Sequence, residues 1–270
     1  MTLTFATHAH SEVGLVRKNN QDSAFVAPNL VVVADGMGGA AAGDLASAIA
    51  VDEIATMDAD LAVRLAGASD VRPETAPTNL PAGRPGDLLA VLADALVRTN
   101  VRLSEAVAVN PDAEGMGTTL CSIGLIDDAA VLVNIGDSRA YRLRDNVLTR
   151  LSRDHSWVQT LVDAGRITEE QALEHPHRSL IMRVLNGRPE HVPDLGIIDV
   201  RAGDRVLVCS DGLCGLVTDS QIAARVAASD REVAVASLVD LAHAAGGHDN
   251  ITIIVADVVE GEPVGRTQVL

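Results

Sequence analysis

Short apolar runs are the feature that most constrains what this chain can form. Each run is rich in β-branched residues and is bounded by glycine and aspartate. The runs lie at 30–34, 131–135, 205–209 and 251–255. Short continuous apolar runs of this kind are typical of strands that are buried on both faces. The sequence therefore predicts buried strands at these positions.

Other segments have the spacing of helices. Between 87 and 109, leucines recur every three or four residues, Asp87 can serve as the N-cap, and Asn110-Pro111 ends the segment. Segments 43–57 and 231–245 are alanine-rich and are predicted to be helical in the same way. The chain has no internal repeat and no heptad run, so we expect one domain of packed sheets and helices.

Two segments interrupt this pattern. Segment 67–86 combines four prolines with Gly, Ser and Thr, which predicts a loop. Segment 153–193 is polar, with short helical patterns at 156–165 and 168–174 and no strand signal. We therefore expect a lid-like insertion there, between strands of the sheet. The expected domain covers residues 1–258, and residues 259–270 are expected to form a polar C-terminal tail.

Charge and cysteine content narrow the function classes. Lys+Arg number 21 and Asp+Glu 37, so the formal net charge is −16. This excess of acid argues against binding nucleic acid or an anionic membrane, both of which require a basic surface. Three cysteines without metal-ligand spacing, the lack of a signal peptide and apolar runs far below the ~18 residues of a membrane span favour a cytoplasmic protein. We expect a monomer.

Aspartates stand at the ends of three predicted strands. Asp35-Gly36 and Asp211-Gly212 each follow an apolar run, and Asp249 precedes one. A single Asp-Gly pair is usually an ordinary turn, but the repetition indicates a function. Clustered carboxylates without His or Cys favour Mg²⁺ or Mn²⁺ over zinc. Two such ions can lower the pKa of a shared water and hold a phosphate ester for displacement at phosphorus.

A cation that could hold phosphate oxygens is Arg17, since arginine binds phosphate bidentately. It lies in a polar stretch, five residues before Asp22. Taken alone, an arginine is more often a solvated surface residue. The polar neighbours strengthen the assignment of Arg17 to a phosphate site.

Six short motifs occur in a fixed order along the chain. They are Arg17-Lys-Asn-Asn-Gln-Asp22, Asp35-Gly36-Met37-Gly38-Gly39, Gly117-Thr118-Thr119, Gly136-Asp137-Ser138-Arg139, Ser210-Asp211-Gly212-Leu213 and Asp249-Asn250-Ile251-Thr252. Together they resemble the metal-dependent Ser/Thr protein phosphatases of the PPM (type 2C) family in their bacterial form. Segment 153–193 resembles the flap of those proteins. The resemblance implies an α+β fold of two packed antiparallel sheets flanked by helices, a four-layer α-β-β-α sandwich.

The resemblance also implies a metal centre with two Mn²⁺ or Mg²⁺ ions. By motif position, Asp35, Asp211 and Asp249 would hold one ion, and Asp35 with the Gly36 carbonyl would hold the other. Asp22 would act through a bound water, Asp137 and Asp211 would hold a weak third ion, and Arg17 would bind the substrate phosphate. Asn250 would steady Asp249.

Two positions depart from the family pattern. Met37 stands where some members carry a histidine proposed as general acid, and Gly215 stands where many carry an aspartate that helps to hold the third ion. His155 and His177 of segment 153–193 are conceivable proton donors. We expect them instead to be solvated loop histidines, and we expect Trp157 to pack the segment down.

The resemblance implies hydrolysis of phosphoserine and phosphothreonine in proteins, by attack of a water that bridges the two ions. The expected partners are phosphorylated proteins of a bacterial Ser/Thr kinase pathway. Two alternatives are a catalytically inactive phosphoprotein-binding module of the same fold and a phosphatase of small metabolites. Retention of Asp35, Asp211 and Asp249 counts against the inactive module.

Overall fold

Distant parts of the chain pair into two antiparallel sheets in the computed structural model, which describes residues 2–38, 42–67, 84–228, 230–261 and 268–270. For residues 57–67 and 84 the description covers the helical backbone alone. Most of the predicted loop at 67–86, Gly39 of the second motif and residues 262–267 of the expected tail lie outside the described residues.

The strands of the described residues form a five-stranded and a seven-stranded sheet. They are β1 (Leu3–Glu12), β2 (Asp22–Ala27), β3 (Leu30–Met37), β4 (Gly117–Thr118), β5 (Leu120–Ile126), β6 (Ala129–Ile135), β7 (Arg139–Arg144), β8 (Val147–Arg150), β9 (Asp194–Ile198), β10 (Arg205–Cys209), β11 (Ile251–Glu260) and β12 (Gln268–Val269). The first sheet has the order β1-β11-β10-β7-β8. The second sheet has the order β12-β2-β3-β5-β6-β9, with β4 paired to β3.

Helices cover the outer face of each sheet, and two short helices lie in segment 153–193. They are α1 (Gly43–Gly67), α2 (Arg84–Val109), α3 (Trp157–Asp163), α4 (Glu169–Leu173), α5 (Asp211–Cys214), α6 (Asp219–Val226) and α7 (Arg231–Ala244), with a 3₁₀ turn at Pro111–Ala113. No helix in the described part of the chain has the length and apolar character needed to cross a membrane.

Three apolar layers hold these elements together. Val32 of β3 packs under α1 and α2, Val33 packs between the sheets with Ile254 of β11, and Ile253 packs under α7. Neighbouring residues of β3 and β11 therefore face different layers that are both apolar, which explains the continuous apolar runs. The predicted four-layer α-β-β-α sandwich is confirmed, as are all four predicted strands.

Two predicted boundaries were wrong, the start of a helix and the end of a strand. Helix α2 begins at Arg84, three residues before the predicted N-cap Asp87. Proline is tolerated in the first turn of a helix, so Pro85 does not prevent the earlier start, and the Asp87 carboxylate still lies in the favourable first turn. Strand β3 continues past Ala34 to Met37 because Gly36 and Met37 pair with β4.

The segment 153–193, which we call the flap, lies between strands of different sheets. It leaves the first sheet after β8 and returns to the second sheet at β9. Helices α3 and α4 occupy the two predicted helical patterns and begin at the N-caps Ser156 and Thr168. Isolated bridges join Ser156 to Ile181 and Thr118 to Leu185. The flap is thus joined by backbone pairing to β4 of the second sheet.

Candidate metal centre

Two aspartates face each other across the second sheet. Asp22 opens β2 and is the register partner of Asp35 in β3. Asp35 therefore lies within a strand, whereas the sequence pattern placed it just after one. The Asp35 N–H donates to Thr119 Oγ1 at 3.0 Å, and the Thr119 N–H donates to the Asp35 carbonyl at 2.8 Å. These bonds fix the Asp35 backbone on the side away from Asp22.

Two further aspartates come from the first sheet. Asp211 is the first residue of α5, directly after β10, and Asp249 lies two residues before β11. A methyl group at Gly212 would lie 1.9 Å from the Asn250 carbonyl oxygen. Glycine at position 212 therefore allows the Asp211 and Asp249 loops to approach closely.

The fifth aspartate lies in the turn that joins the two sheets. Asp137 is between β6 and β7, and the preceding Gly136 has φ +107°, where a methyl group would lie 2.4 Å from Thr119 Cγ2. The turn is thus held tightly against Thr119. Five carboxylates converge where the ends of the two sheets meet, and we call this group the aspartate cluster. Its members are Asp22, Asp35, Asp137, Asp211 and Asp249.

Burial and mutual repulsion raise the pKa values of carboxyl groups in the aspartate cluster, so their ionisation is unfavourable. Burial, with the nearby charges of Asp211 and Asp249, raises the pKa of Asp22 to about 7. Burial and the Asp249 charge raise the pKa of Asp211 to about 6. The pKa values of Asp35 and Asp137 lie well above the ordinary range for the same two reasons. A bound cation would relieve this repulsion.

The residues present fit hard divalent cations. Asp22 Oδ1, Asp137 Oδ1 and Asp211 Oδ1 are buried and have no hydrogen-bond partner in the protein. Buried oxygens without partners are costly, and carboxylate oxygens are what Mg²⁺ and Mn²⁺ prefer. Within the described residues no group of three His, Cys, Asp or Glu side chains is already arranged around a single point. Carbonyl oxygens and water would therefore complete each ligand shell, as is usual for these ions.

Arg17 lies at the solvent side of the aspartate cluster. Its Nη2 donates to Asp249 Oδ2 at 2.6 Å, and its side chain is 52% exposed. This hydrogen bond raises the pKa of Arg17, so the guanidinium is charged. A charged, accessible guanidinium beside a carboxylate cluster can bind an anion once the cluster is neutralised.

Asn250 bonds Asp249 as predicted, through its backbone, and its side chain has a second role that was not predicted. Its backbone N–H donates to Asp249 Oδ1 at 2.9 Å, but its side chain is directed at the loop that carries Arg17. Asn250 Oδ1 accepts from the Gln21 N–H at 2.8 Å, and Nδ2 donates to the carbonyls of Val13 and Asn19. The Asn250 side chain therefore places the loop of Arg17 against the cluster.

Sequence reasoning missed two hydroxyl groups that lie within the motifs. Ser210 Oγ donates to Asp22 Oδ2 at 2.7 Å and accepts from the Thr252 N–H at 3.1 Å. Thr119 Oγ1 lies 2.8 Å from Ser138 Oγ and accepts from Asp35. Both hydroxyl residues lie within the motifs, beside their glycines and aspartates, and this position was a sequence signal that they belong to the site. Only the fold shows that Ser210 bonds the Asp22 carboxylate and that Thr119 bonds the Asp35 backbone.

A buried ion pair lies beneath the cluster and was not predicted. Arg139 Nε and Nη2 donate to the Asp154 carboxylate at 2.7 to 3.0 Å, with side-chain exposures of 11% and 7%. Arg139 Nη1 also donates to the Cys214 carbonyl at 3.3 Å, at the end of α5. This guanidinium therefore joins the start of the flap to the helix that carries Asp211.

Replacing Asp154 by Asn is expected to lower the free energy of unfolding by about 3–5 kcal/mol, because the buried Arg139 charge keeps only the more exposed Asp219 carboxylate, at 3.5 Å, as a partner. Urea unfolding at pH 7 measures the change. Asp163→Asn is the matched control, since it removes the same charge from the exposed ion pair with Arg153 and should cost less than about 1 kcal/mol. Equal losses for the two variants would contradict a stabilising role for the buried pair.

The flap histidines differ from each other. His177 is exposed, and its ring lies 5.5 Å from that of Trp157, which also packs on His175 at 5.2 Å. His155, by contrast, has a side chain with 0% exposure, and burial lowers its pKa. The expectation of a solvated loop histidine was therefore wrong for His155, because the flap folds its first residues inward.

A cavity of about 310 Å³ adjoins the cluster, beneath the flap. Its walls include Asp137, Asp211, Asp249, Glu169, Arg178 and Thr218. This volume is within the range of small-ligand sites. Gly215 also lines the cavity at the end of α5, where a methyl group would lie 2.7 Å from the Asp211 carbonyl oxygen.

The fold and the aspartate cluster together define a class of protein: an α-β-β-α sandwich with a cluster of carboxyl groups at the edge shared by its two sheets. A family model described as "Protein phosphatase 2C" matches residues 9–244. The chain belongs to the protein phosphatase 2C family, as the motif resemblance predicted.

Individual relatives agree with this assignment. Over 270 residues the chain is 44% identical to serine/threonine protein phosphatase PstP of Mycobacterium tuberculosis. The alignment covers 99% of this chain and 48% of the mycobacterial protein. It is 32% identical to serine/threonine phosphatase stp of Listeria monocytogenes, over 90% of this chain and 92% of that one. The chain thus spans about half the length of the mycobacterial relative and nearly all of the listerial one.

Solved structures agree as well. The crystal structure of the catalytic domain of PstP in complex with two manganese ions matches with a TM-score of 0.81 and 41% identity. The match covers 96% of this chain and 100% of the PstP domain. The likeness therefore extends over the whole sandwich and includes the end that carries the aspartate cluster.

Proposed function

We propose that this chain removes phosphate from phosphoserine and phosphothreonine in proteins, with two Mn²⁺ or Mg²⁺ ions held by the aspartate cluster. The observation that carries the proposal is the set of buried, unpartnered oxygens on Asp22, Asp137 and Asp211, beside the accessible guanidinium of Arg17. The printed names of the relatives and the two manganese ions of the solved PstP domain support it.

The cluster residues divide between the ions as their motif positions suggest. Asp35, Asp211 and Asp249 would hold one ion, Asp35 and the Gly36 carbonyl the other, and Asp22 would act through water. Asp137 with Asp211 would hold a weaker third ion, which Gly215 leaves without an additional carboxylate. When bound, such ions lower the pKa of water and neutralise phosphate charge.

The chain's own residues bind and orient the substrate. With the Asp249 charge balanced, the Arg17 guanidinium is available for two phosphate oxygens of the substrate. Asn250 holds the loop of Arg17 in place through Gln21, Val13 and Asn19. Ser210 donates to the Asp22 carboxylate, and Thr119 accepts from the backbone N–H of Asp35, so the positions of both residues are supported as charge changes.

The biological setting is part of the same proposal. Phosphorylated proteins of a bacterial Ser/Thr kinase pathway would be the substrates, and the cytoplasm would be the compartment. The catalytic unit would be a monomer formed by residues 1–258, with residues 259–270 as a tail. The names of the mycobacterial and listerial relatives support protein rather than metabolite substrates.

The test is phosphate release by the purified chain from a phosphothreonine peptide, with Mn²⁺ and with excess chelator. We expect turnover that requires Mn²⁺ and a higher kcat/KM on phosphopeptides than on small phosphorylated metabolites. Binding of the phosphopeptide without turnover at saturating Mn²⁺ would contradict the proposal. Undiminished activity in chelator would contradict it as well.

Replacing Arg17 by Ala is expected to raise KM for the phosphopeptide by about 10- to 100-fold, because a charged hydrogen bond contributes about 1.5–3 kcal/mol. The effect on kcat should be smaller if Arg17 binds ground state and transition state alike. Lys18→Ala is the matched control, since Lys18 is the neighbouring exposed cation. A KM that changes equally in both variants would mean that only the general positive charge matters.

A further inference from the structure

His155 lies near the start of the flap and is bonded to the turn that carries Asp137. Its N–H donates to the Gly136 carbonyl at 2.8 Å, and its carbonyl accepts from the Met182 N–H at 2.6 Å. Its ring is fully enclosed, with 0% side-chain exposure. The backbone of His155 therefore connects the Gly136–Asp137 turn to the far end of the flap.

The imidazole makes a second connection to the same turn. Nδ1 accepts from the Gly136 N–H at 3.2 Å, so Nδ1 carries no proton in this arrangement. The proton of the neutral ring is then on Nε2, which lies 3.1 Å from Asp194 Oδ2 at the start of β9. Burial lowers the pKa of His155, which agrees with a neutral ring.

Gly136 has little freedom on its other side. Its φ of +107° and its close approach to Thr119 leave one arrangement of the turn. Gly136 is therefore packed against Thr119 at its α-carbon and bonded to His155 through both its N–H and its carbonyl. Asp137 follows directly, with its Oδ1 buried and unpartnered.

We propose that His155 is a positioning residue that holds the Gly136–Asp137 turn, and so aims the Asp137 carboxylate at the cation centre, only while the flap is docked. Through its backbone bond to Met182 the same residue is joined to the rest of the flap. The inference rests on the proposed function, because it takes Asp137 as a ligand of a divalent ion. It assigns to the flap an effect on cation binding at the cluster.

This role differs from that of a proton donor to the leaving group. A general acid must reach the substrate, whereas the His155 ring is enclosed and both of its nitrogens face protein groups. Its contribution therefore runs through Gly136 and Asp137. Outer residues that orient ligands typically change metal affinity or activity by about 10- to 100-fold when replaced.

Two amide variants separate the two ring nitrogens. Asn places an acceptor near the position of Nδ1 and can keep the bond to the Gly136 N–H, whereas Gln places its amide near Nε2 and loses that bond. We expect His155→Gln to raise the Mn²⁺ concentration for half-maximal activity by about 10-fold or more. We expect His155→Asn to stay within about 3-fold of the unchanged protein.

Mn²⁺ binding measured by calorimetry provides a readout that does not depend on turnover. The weakest class of sites should weaken in His155→Gln and stay near normal in His155→Asn, although both variants lose similar thermal stability. His177→Asn is the control, since it changes an exposed flap histidine and should leave the Mn²⁺ titration unchanged.

Equal shifts of the Mn²⁺ titration in the Asn and Gln variants, or shifts that simply follow Tm, would overturn the inference. An unchanged titration in His155→Gln would overturn it too. Failure of the proposed function has a different signature: the unchanged protein would bind Mn²⁺ normally and release no phosphate. In that case calorimetry still decides whether His155 positions Asp137.

Discussion

Asp211→Asn is expected to lower kcat/KM for a phosphothreonine peptide by at least about 10³-fold, equivalent to roughly 4 kcal/mol of transition-state stabilisation. Asp211, like Asp35, is assigned to two cation sites, and it lies within hydrogen-bonding distance of Asp35. Its neutral amide can neither balance a divalent charge nor take the same ligand geometry. The loss should persist at saturating Mn²⁺.

The same variant is expected to be more stable than the unchanged protein when both are free of metal. Burial and the Asp249 charge oppose ionisation of Asp211, so an isosteric neutral group relieves repulsion at neutral pH. Thermal melts in excess chelator at pH 8 measure this, with Asp240→Asn on the exposed face of α7 as the control. Lower activity together with lower metal-free stability would indicate simple misfolding and contradict the assigned role.

Metal removal is expected to make stability fall as pH rises, and this is the second large effect. The pKa of Asp22 is about 7 and that of Asp211 about 6 in the folded protein, against about 4 in an unfolded chain. Between these values the folded protein holds more protons than the unfolded chain, so the free energy of unfolding decreases with pH. The stability conferred by the protonated carboxyls is complete below about pH 4 and is lost through about pH 7.

Calorimetric melts in chelator at pH 5 and pH 8 test this expectation, and we expect a difference of a few kcal/mol. The lowered pKa of the buried His155 acts in the opposite direction, so the observed change is a net value. Adding Mn²⁺ at pH 8 should restore Tm, because a cation that binds only the folded state stabilises it. A Tm independent of pH in chelator, and unaltered by Mn²⁺, would argue against a cation centre at the cluster.

The Asp211→Asn variant also serves as an internal check on that pH dependence. With one carboxyl removed and repulsion on Asp22 reduced, the fall in stability between pH 5 and pH 8 should be smaller than in the unchanged protein. An equal fall in both proteins would place the responsible groups outside the aspartate cluster.

Much of the fold could be predicted because local chemistry decides it. The β-branched runs at 30–34 and 251–255 form strands since both of their faces are buried in apolar layers. Boundaries were less accurate where neighbours in space intervene. Pairing with β4 extends β3 through Asp35, and the residues 30–37 contain no pattern from which this pairing could be predicted.

The site, like the fold, has parts that local sequence predicts and parts that depend on neighbours in space. The aspartates were identifiable because each stands beside a glycine or at a strand end, and the order of the six motifs is specific. The role of His155 was not identifiable, since the flap buries its ring. The contact of the Asn250 side chain with the loop of Arg17 was not identifiable either, because Gln21 lies 229 residues away in the chain.

The sequence by itself determined four central strands, most of the helices, the family and the carboxylates, because these depend on residue type, spacing and order. Tertiary structure alone decided which group supports each carboxylate. It paired Ser210 with Asp22, placed Arg139 against Asp154 and turned His155 inward to Gly136. The physical reason is that these bonds join residues from different sheets or from the flap, and the distance between them is set by the packing of the apolar layers.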